Sequence, residues 1–107
     1  MTGFDFAGRR VVVCGGSRGI GRSIAAGFAA AGADVSICAR GAQALERTRT
    51  ELAAHGRKAH AAVCDLADGA AIGRYIAEAA EALGGIDILV NNASGFGLGD
   101  DEAAWAA

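Results

Sequence analysis

The chain has 107 residues, of which 52% are hydrophobic and 21% are charged, and its formal net charge is -2. This balance indicates one soluble globular domain and excludes the basic surface that nucleic acid or anionic membranes attract, so neither is expected as a partner. The first residues lack the features of a signal peptide, no apolar run approaches the roughly 20 residues that span a bilayer, and the three cysteines are an odd number. We therefore expect a cytoplasmic protein with reduced thiols.

Hydrophobic patterning divides the chain into alternating strands and helices. Short apolar runs that end at a glycine or a polar residue predict strands, and apolar residues at helical spacing predict helices. In chain order, the predicted elements are a strand at 9–14, a helix at 20–32, a strand at 34–39, a helix at 42–55, a strand at 58–64, a helix that follows the loop at 65–68 and runs to Gly84, and a strand at 86–90. This alternation predicts a parallel sheet with right-handed crossovers and helices on its faces.

Each predicted helix has an apolar face that should pack on the sheet. The loop at 65–68 also offers an N-cap for the third helix, and Tyr75, beside the apolar face of that helix, is expected to have a packing role. The apolar faces consist of Ile20, Ile24 and Phe28 in the first helix, Leu45, Thr48 and Leu52 in the second, and Ile72, Ile76 and Leu83 in the third.

The connection between the first strand and the first helix is rich in glycine. Such a loop places backbone N–H groups at a helix N-terminus, where unpaired donors and the helix dipole favour an anion such as a pyrophosphate. We expect Gly15 to form the tight turn, Gly19 to let the backbone approach the phosphates, and Gly21 to let the helix pack close to the strand. Turns are glycine-rich for other reasons as well, and it is the position between a buried strand and an amphipathic helix that favours a dinucleotide site.

Two segments carry a family resemblance that extends over essentially the whole chain. The loop reads Gly15-Gly16-Ser17-Arg18-Gly19-Ile20-Gly21, which resembles the T-G-x-x-x-G-x-G loop of the short-chain dehydrogenase/reductase family. The later segment reads Asp87-Ile88-Leu89-Val90-Asn91-Asn92-Ala93-Ser94, which resembles the family's D-x-L-V-N-N-A-G. Two residues depart from the pattern, since Cys14 stands at the usual threonine and Ser94 replaces the final glycine.

The resemblance implies a Rossmann-type, doubly wound, three-layer α/β/α fold with strand order 3-2-1-4, truncated after the fourth strand, so that residues 1–107 form a partial NAD(P)-binding domain. Asp65-Leu66 resembles the Asp-hydrophobic pair that contacts adenine in the family. The adenine would lie between Arg40 and Asp65, and the nicotinamide would lie towards Asn92 and Ser94. The implied cofactor-binding residues are Gly15, Ser17, Arg18, Gly19, Ile20, Gly21, Arg40, Asp65, Leu66, Asn92, Ala93 and Ser94.

The end of the second predicted strand bears on which nucleotide binds. An NAD-binding unit places an acidic residue there, to accept from the ribose 2′-hydroxyl, but this chain has Arg40. Arg40 and Arg18 could pair with a 2′-phosphate, and basic residues at these positions in the family accompany NADP(H), so we expect NADP(H) in preference to NAD(H). The alternative is that both are solvated surface arginines. A nucleoside-binding methyltransferase is disfavoured by the same arginine.

The three cysteines lie near the carboxyl ends of the first three predicted strands. A thiolate metal site is conceivable, but buried cysteine commonly acts as a small apolar filler. No metal site is therefore predicted from Cys14, Cys38 and Cys64.

The family's catalytic pair is not found in this sequence. The family uses a tyrosine general acid/base with a lysine four residues later, whereas the only tyrosine here is Tyr75, four residues before Ala79, and the only lysine is Lys58. The apolar fourth strand would also form an exposed edge, which natural proteins avoid, so we expect a fragment of a longer enzyme or a chain completed by a partner. No catalytic residue is predicted within the chain.

The resemblance implies that the parent protein is an NADP(H)-dependent oxidoreductase that transfers hydride between the cofactor and a ketone or secondary alcohol. A 3-oxoacyl substrate is one possibility within that class, and the full-length protein would be a homo-oligomer. The alternative is a nucleotide-binding or assembly module without catalysis of its own.

Overall fold

A computed structural model of the protein describes residues 5–17 and 19–92. Strands and helices alternate as the patterning predicts, and their ends differ from the predicted ones by no more than two residues. The elements are β1 (Arg10–Cys14), α1 (Gly19–Ala30), β2 (Asp34–Ala39), α2 (Ala42–Ala53), β3 (Ala59–Val63), α3 (Gly69–Leu83) and β4 (Ile88–Asn91). None of the helices in these two ranges has the length and apolar character needed to cross a membrane.

The four strands form one parallel sheet in the order β3-β2-β1-β4, which confirms the predicted fold class. The chain builds outward from β1 to β3 and then returns across the sheet, so that β4 pairs with β1 on its other side. The order reverses at β1, and ligands of doubly wound sheets bind at such a switch point, beyond the carboxyl ends of the strands. In register, Cys14 lies beside Cys38 of β2 and Asn91 of β4, so these three strand ends meet there.

Hydrophobic cores lie on both faces of the sheet. Val11 and Val13 belong to a core that α1 and α2 cover, while Val12 and Cys14 belong to the core beneath α3. Successive residues of a strand point to opposite faces, so a strand that is apolar throughout is buried on both sides. β1 is therefore an inner strand that is buried on both faces, and it fixes the position of the loop that follows it.

The prediction for α2 is confirmed, but the prediction for α1 was wrong by one helical position. Leu45, Thr48 and Leu52 are buried, as expected. In α1 the buried residues are Gly21, Ala25 and Ala29. Ile20 is 71% exposed, while Ile24 and Phe28 are only partly buried at the rim of the core. Small side chains face the sheet because they let the helix axis approach the strands closely, which large apolar residues would prevent.

The inner face of α3 also differs from the prediction. Its buried residues are Tyr75, Ala79 and Leu83, whereas Ile72 and Ile76 flank them and are partly buried. Tyr75 takes the central position because its hydroxyl has a buried hydrogen-bond partner on β2. The predicted N-cap is confirmed, since the Asp68 carboxylate accepts from the amides of the first turn.

Within the described residues, β4 pairs only with β1. Leu89 is 53% exposed on this strand.

An ion pair joins the amino ends of β1 and β4. The Asp87 carboxylate accepts from the backbone amide of Arg10 at 2.8 Å and from its Nε at 2.9 Å. The Arg10 guanidinium also donates to the carbonyl of Gly84 at 2.6 Å, at the end of α3. These hydrogen bonds, with the side-chain bond to Arg10 as the largest cause, hold the pKa of Asp87 at about 2, below its usual value of 3.8.

Asp87→Asn is expected to lower the free energy of unfolding in a pH-dependent way. Because the carboxyl pKa is depressed in the folded protein, the ionised group stabilises the fold above its usual pKa, and this stabilisation is lost as pH falls towards about 2. The difference in unfolding free energy between the wild type and Asp87→Asn should therefore be constant from neutral pH to about 5 and shrink between about 4 and 2. Urea denaturation at a series of pH values measures it, and a difference independent of pH would contradict the assignment.

Candidate functional site

The glycine loop leaves β1 with a sharp turn towards β2. The amides of Gly15 and Gly16 both donate to the carbonyl of Cys38, at 2.9 and 3.2 Å. Gly15 has φ of +86°, a left-handed conformation that favours glycine. The predicted tight turn is therefore present, and the carboxyl end of β2 holds it in place.

The first turn of α1 packs directly on this loop. A Cβ on Gly21 would overlap the carbonyl oxygen of Gly15 and lie 2.6 Å from Nδ2 of Asn92, so only glycine fits there. Gly19 has φ of +62°, and a Cβ on it would meet no atom within 4 Å. The helix thus begins in open space at Gly19, and the first amides of a helix lack acceptors within it. This geometry suits an anion approaching the helix N-terminus.

Asn92 closes the site on the side of β4. Its backbone N–H donates to the Cys14 carbonyl at 3.0 Å, and its side-chain Nδ2 lies 3.5 Å from the Gly15 carbonyl oxygen. The structure therefore brings Asn92 beside the loop, as the sequence predicted. The predicted site residues Arg18, Ala93 and Ser94 lie outside the described residues.

Arg40 follows β2 and is exposed. The nearest acidic residue on that strand, Asp34, lies at its other end, where its carboxylate accepts from the amide of Lys58 at 3.0 Å. No carboxylate on β2 therefore occupies the position that accepts from a ribose 2′-hydroxyl in NAD-binding units.

The end of β3 is joined to the end of β2, because the amide of Cys64 donates to the carbonyl of Ala39 at 2.9 Å. Asp65 follows and is exposed, and its carboxylate accepts from the amide of Ala67 at 3.0 Å within a local turn. Leu66 is partly buried against the core beneath α3. Of the two residues predicted to contact adenine, only Asp65 is mainly exposed.

The three cysteines are free thiols and all are buried. Hydrogen bonding with Cys14, together with burial, raises the pKa of Cys38, and burial raises the pKa of Cys64. In the described part of the chain, no group of three or more His, Cys, Asp or Glu side chains could hold a metal ion.

Tyr75 lies on the inner face of α3, in the same core as Cys14 and Cys38. It is 3% exposed, and its hydroxyl lies 2.5 Å from Oγ of Ser36. Ser36 Oγ also lies 2.8 Å from Nδ1 of His60, whose Nε2 lies 2.7 Å from Glu78. Burial, the largest cause, raises the pKa of Tyr75 further above neutral pH. The packing role predicted for it fits these contacts.

One contact in the site was missed at the level of sequence. Thr48, predicted only as part of the buried face of α2, donates its hydroxyl hydrogen bond to the carbonyl of Ser17 in the glycine loop at 3.2 Å. A polar residue within the apolar face of a helix was the signal that could have indicated it, because a buried hydroxyl needs a partner.

Comparisons with known proteins agree with this geometry. A family model described as short chain dehydrogenase matches residues 9–105. The rhamnolipids biosynthesis 3-oxoacyl-[acyl-carrier-protein] reductase of Pseudomonas aeruginosa is 48% identical over 90 residues, which are 84% of this chain and 35% of that protein.

Solved structures show the same similarity. A short chain dehydrogenase from Burkholderia cenocepacia in complex with NADP is 44% identical, with a TM-score of 0.82 over 85% of this chain and 38% of that one. A blue fluorescent protein from a metagenomic library, in complex with NADPH, is 38% identical, with a TM-score of 0.80 over 85% and 38% of the two chains. The chain thus spans about a third of the length of the proteins it resembles.

Proposed function

Because the chain belongs to the short chain dehydrogenase family, we propose that residues 1–107 form the dinucleotide-binding part of an NADP(H)-dependent oxidoreductase. The observation that carries the proposal is the glycine loop. It lies at the switch point of the sheet and at the start of α1, and the Gly21 position leaves no room for a side chain. NADP(H), when bound, supplies or accepts the hydride that the reaction transfers.

The chain's own residues would bind and orient this cofactor. The amides at the start of α1 would donate to the pyrophosphate, and the open space at Gly19 would let it approach the backbone. Asp65 and Leu66 would contact the adenine. Asn92, Ala93 and Ser94 would lie towards the nicotinamide, and Ser17 and the exposed Ile20 would line the path between the two ends.

A preference for NADP(H) over NAD(H) is supported by the charge at the end of β2. Arg40 is exposed, and its planar guanidinium can pair with a 2′-phosphate through two hydrogen bonds. Two of the similar solved structures were obtained with NADP and NADPH. Arg18 is proposed as a second partner of the phosphate on the family resemblance alone.

The proposed substrate class is a ketone or a secondary alcohol. The similar reductase of P. aeruginosa is named for a 3-oxoacyl substrate, which makes a ketone on an acyl chain our first candidate. No catalytic residue is assigned within this chain, because Tyr75 is buried on the inner face of α3 and the residue four positions later is Ala79. A homo-oligomeric, cytoplasmic parent protein stays a prediction.

A nucleotide-binding or assembly module is the second candidate, because the glycine loop at the switch point of the sheet would serve such a module equally well. The two candidates differ in turnover. The assay uses the full-length protein of which residues 1–107 form a part. Oxidation of NADPH by that protein in the presence of a 3-oxoacyl thioester would support the reductase, whereas NADPH binding without turnover of any ketone or alcohol would support the module.

Arg40→Ala is expected to weaken NADPH binding about tenfold and to leave NADH binding within about twofold. The reason is that only NADPH carries the 2′-phosphate that the guanidinium would contact. Titration of the intact polypeptide with each nucleotide, followed by fluorescence or calorimetry, measures both dissociation constants.

Arg9→Ala provides the matched control for this titration. Arg9 is also exposed, but it precedes β1 at the opposite end of the sheet, so its removal should change neither affinity. An Arg40→Ala variant that keeps full NADPH affinity, or that loses affinity for both nucleotides equally, would count against Arg40 as the discriminating residue.

A further inference from the structure

Thr48 uses its hydroxyl differently from the neighbouring threonine of the same helix. Thr50 is exposed, and its hydroxyl donates to the carbonyl of Glu46 within α2, the usual local bond of a helical threonine. Thr48 is only 2% exposed, and it donates instead to the carbonyl of Ser17, 31 residues earlier in the chain. Its single hydroxyl proton thus joins α2 to the glycine loop.

This contact completes the support of the loop. At the first end of the loop, the Cys38 carbonyl of β2 accepts from Gly15 and Gly16. Ser17 lies at the other end, two residues before α1 begins at Gly19. The Thr48 hydrogen bond therefore fixes the Ser17 carbonyl, two residues before the amides of the helix begin.

The same contact joins the two parts of the proposed cofactor site. α2 begins at Ala42, directly after Arg40 and Gly41, so Thr48 links the segment that bears Arg40 to the loop. A second link between the helices is the ion pair of Arg22 Nε with Glu51 at 3.0 Å. Both of its side chains are nearly half exposed. Of these two links, the Thr48 hydrogen bond is the one that reaches the glycine loop itself.

We propose that Thr48 is a positioning residue of the dinucleotide site, which holds the pyrophosphate-binding loop at a fixed distance from α2. The inference rests on the proposed function, since it assigns a role within the same site. Thr48 does not contact the cofactor in this scheme. It acts through the Ser17 peptide, and its loss should weaken binding of any nucleotide that carries the pyrophosphate.

The test compares NADPH and NADH binding to the intact polypeptide in three variants. Thr48→Val keeps the shape of the side chain and removes the hydroxyl, Thr48→Ser keeps the hydroxyl, and Thr50→Val removes the matched hydroxyl that bonds within α2. We expect Thr48→Val to raise both dissociation constants about fivefold, the effect of one hydrogen bond, with the NADPH to NADH ratio unchanged. Thr48→Ser and Thr50→Val should stay within about twofold of the wild type.

The unchanged ratio separates this role from that of Arg40, whose replacement should alter the ratio. A purely structural role would lower the melting temperature of Thr48→Val without changing the affinity of the folded protein, and that result would overturn the proposal. Equal losses in Thr48→Val and Thr48→Ser would overturn it as well, because a variant that keeps the hydroxyl would then be as impaired as one that lacks it.

Should Thr48→Val fail to fold, Thr48→Ser and Thr48→Ala give the same comparison, since they differ only in the hydroxyl. A fivefold weaker affinity in Thr48→Ala than in Thr48→Ser would support the proposal, and equal affinities would overturn it. Failure of the proposed function has a different signature, namely a wild-type protein that binds neither NADPH nor NADH.

Discussion

Gly21→Ala is expected to lower the free energy of unfolding by about 3 kcal/mol and to abolish measurable NADPH binding. The added methyl group would overlap the Gly15 carbonyl and crowd Asn92 at 2.6 Å. Backbone cannot rotate out of the way as a side chain can, so either α1 moves off the sheet or the loop loses its turn. Urea denaturation followed by circular dichroism measures the stability, and nucleotide titration measures the binding.

The same helix offers a matched control at Gly27. A Cβ at this position would meet no atom within 4 Å, and the residue lies on the exposed side of α1. Gly27→Ala should therefore stabilise the protein by about 1 kcal/mol, because alanine is the better helix former. The same change from glycine to alanine would thus lower the free energy of unfolding at position 21 and raise it at position 27. A Gly21→Ala protein with wild-type stability and affinity would show that the contact between α1 and the loop is not as close as described.

Ser36→Ala is expected to cost about 2 kcal/mol of stability while leaving NADPH affinity within about twofold. Ser36 is fully buried on β2, and its hydroxyl is hydrogen-bonded with Tyr75 at 2.5 Å and with His60 at 2.8 Å. Removing it leaves the buried phenol hydroxyl without that partner, and an unpaired buried polar group costs more than the hydrogen bond itself. Chemical denaturation measures the change in unfolding free energy.

Tyr75→Phe is the companion variant, because it removes the phenol hydroxyl and leaves Ser36 its bond with His60. We expect it to cost about 1 kcal/mol, and the double variant to cost less than the sum of the two single changes. Strict additivity would mean that the two hydroxyls act independently. A marked loss of NADPH affinity in the folded Tyr75→Phe protein would instead place this tyrosine in the cofactor site.

Much of the fold could be predicted from the sequence because its signals are local. The β-branched run of β1 and the glycines that end each helix define the elements, and the resemblance to the short-chain dehydrogenases supplied the strand order. The conformation of Gly15 and the close packing at Gly21 also followed from the loop pattern. Both positions require a residue without a Cβ, so the spacing of the glycines in the sequence indicates them directly.

The helix faces were less predictable because they depend on how closely each helix approaches the sheet. Hydrophobicity favoured Ile20 as an inward residue, but the approach of α1 to the strands selects Gly21, Ala25 and Ala29. In α3 the buried position of Tyr75 depends on its hydrogen bond with Ser36, 39 residues earlier. The helical spacing of apolar residues cannot indicate a contact of that kind.

The contact of Thr48 with the loop could not be predicted for the same reason. It joins residues 31 positions apart, and only the packing of α2 against α1 and the loop brings them together. The roles of Arg18, Ala93 and Ser94 stay predictions, because these residues lie outside the described ranges. The sequence therefore predicted the location of the cofactor site, whereas the contact of Thr48 that supports the loop was found only in the structure.

The carbonyl of Cys38 has a practical consequence for changing coenzyme preference. It holds the glycine loop through backbone atoms alone, so exchanging residues 39–41 with those of a relative would leave that support intact. A longer transplant that runs through α2 would also exchange the side chain at Thr48. Under the roles proposed for Arg40 and Thr48, the boundary of the exchanged segment thus determines whether the exchange changes coenzyme preference or weakens the binding of both nucleotides.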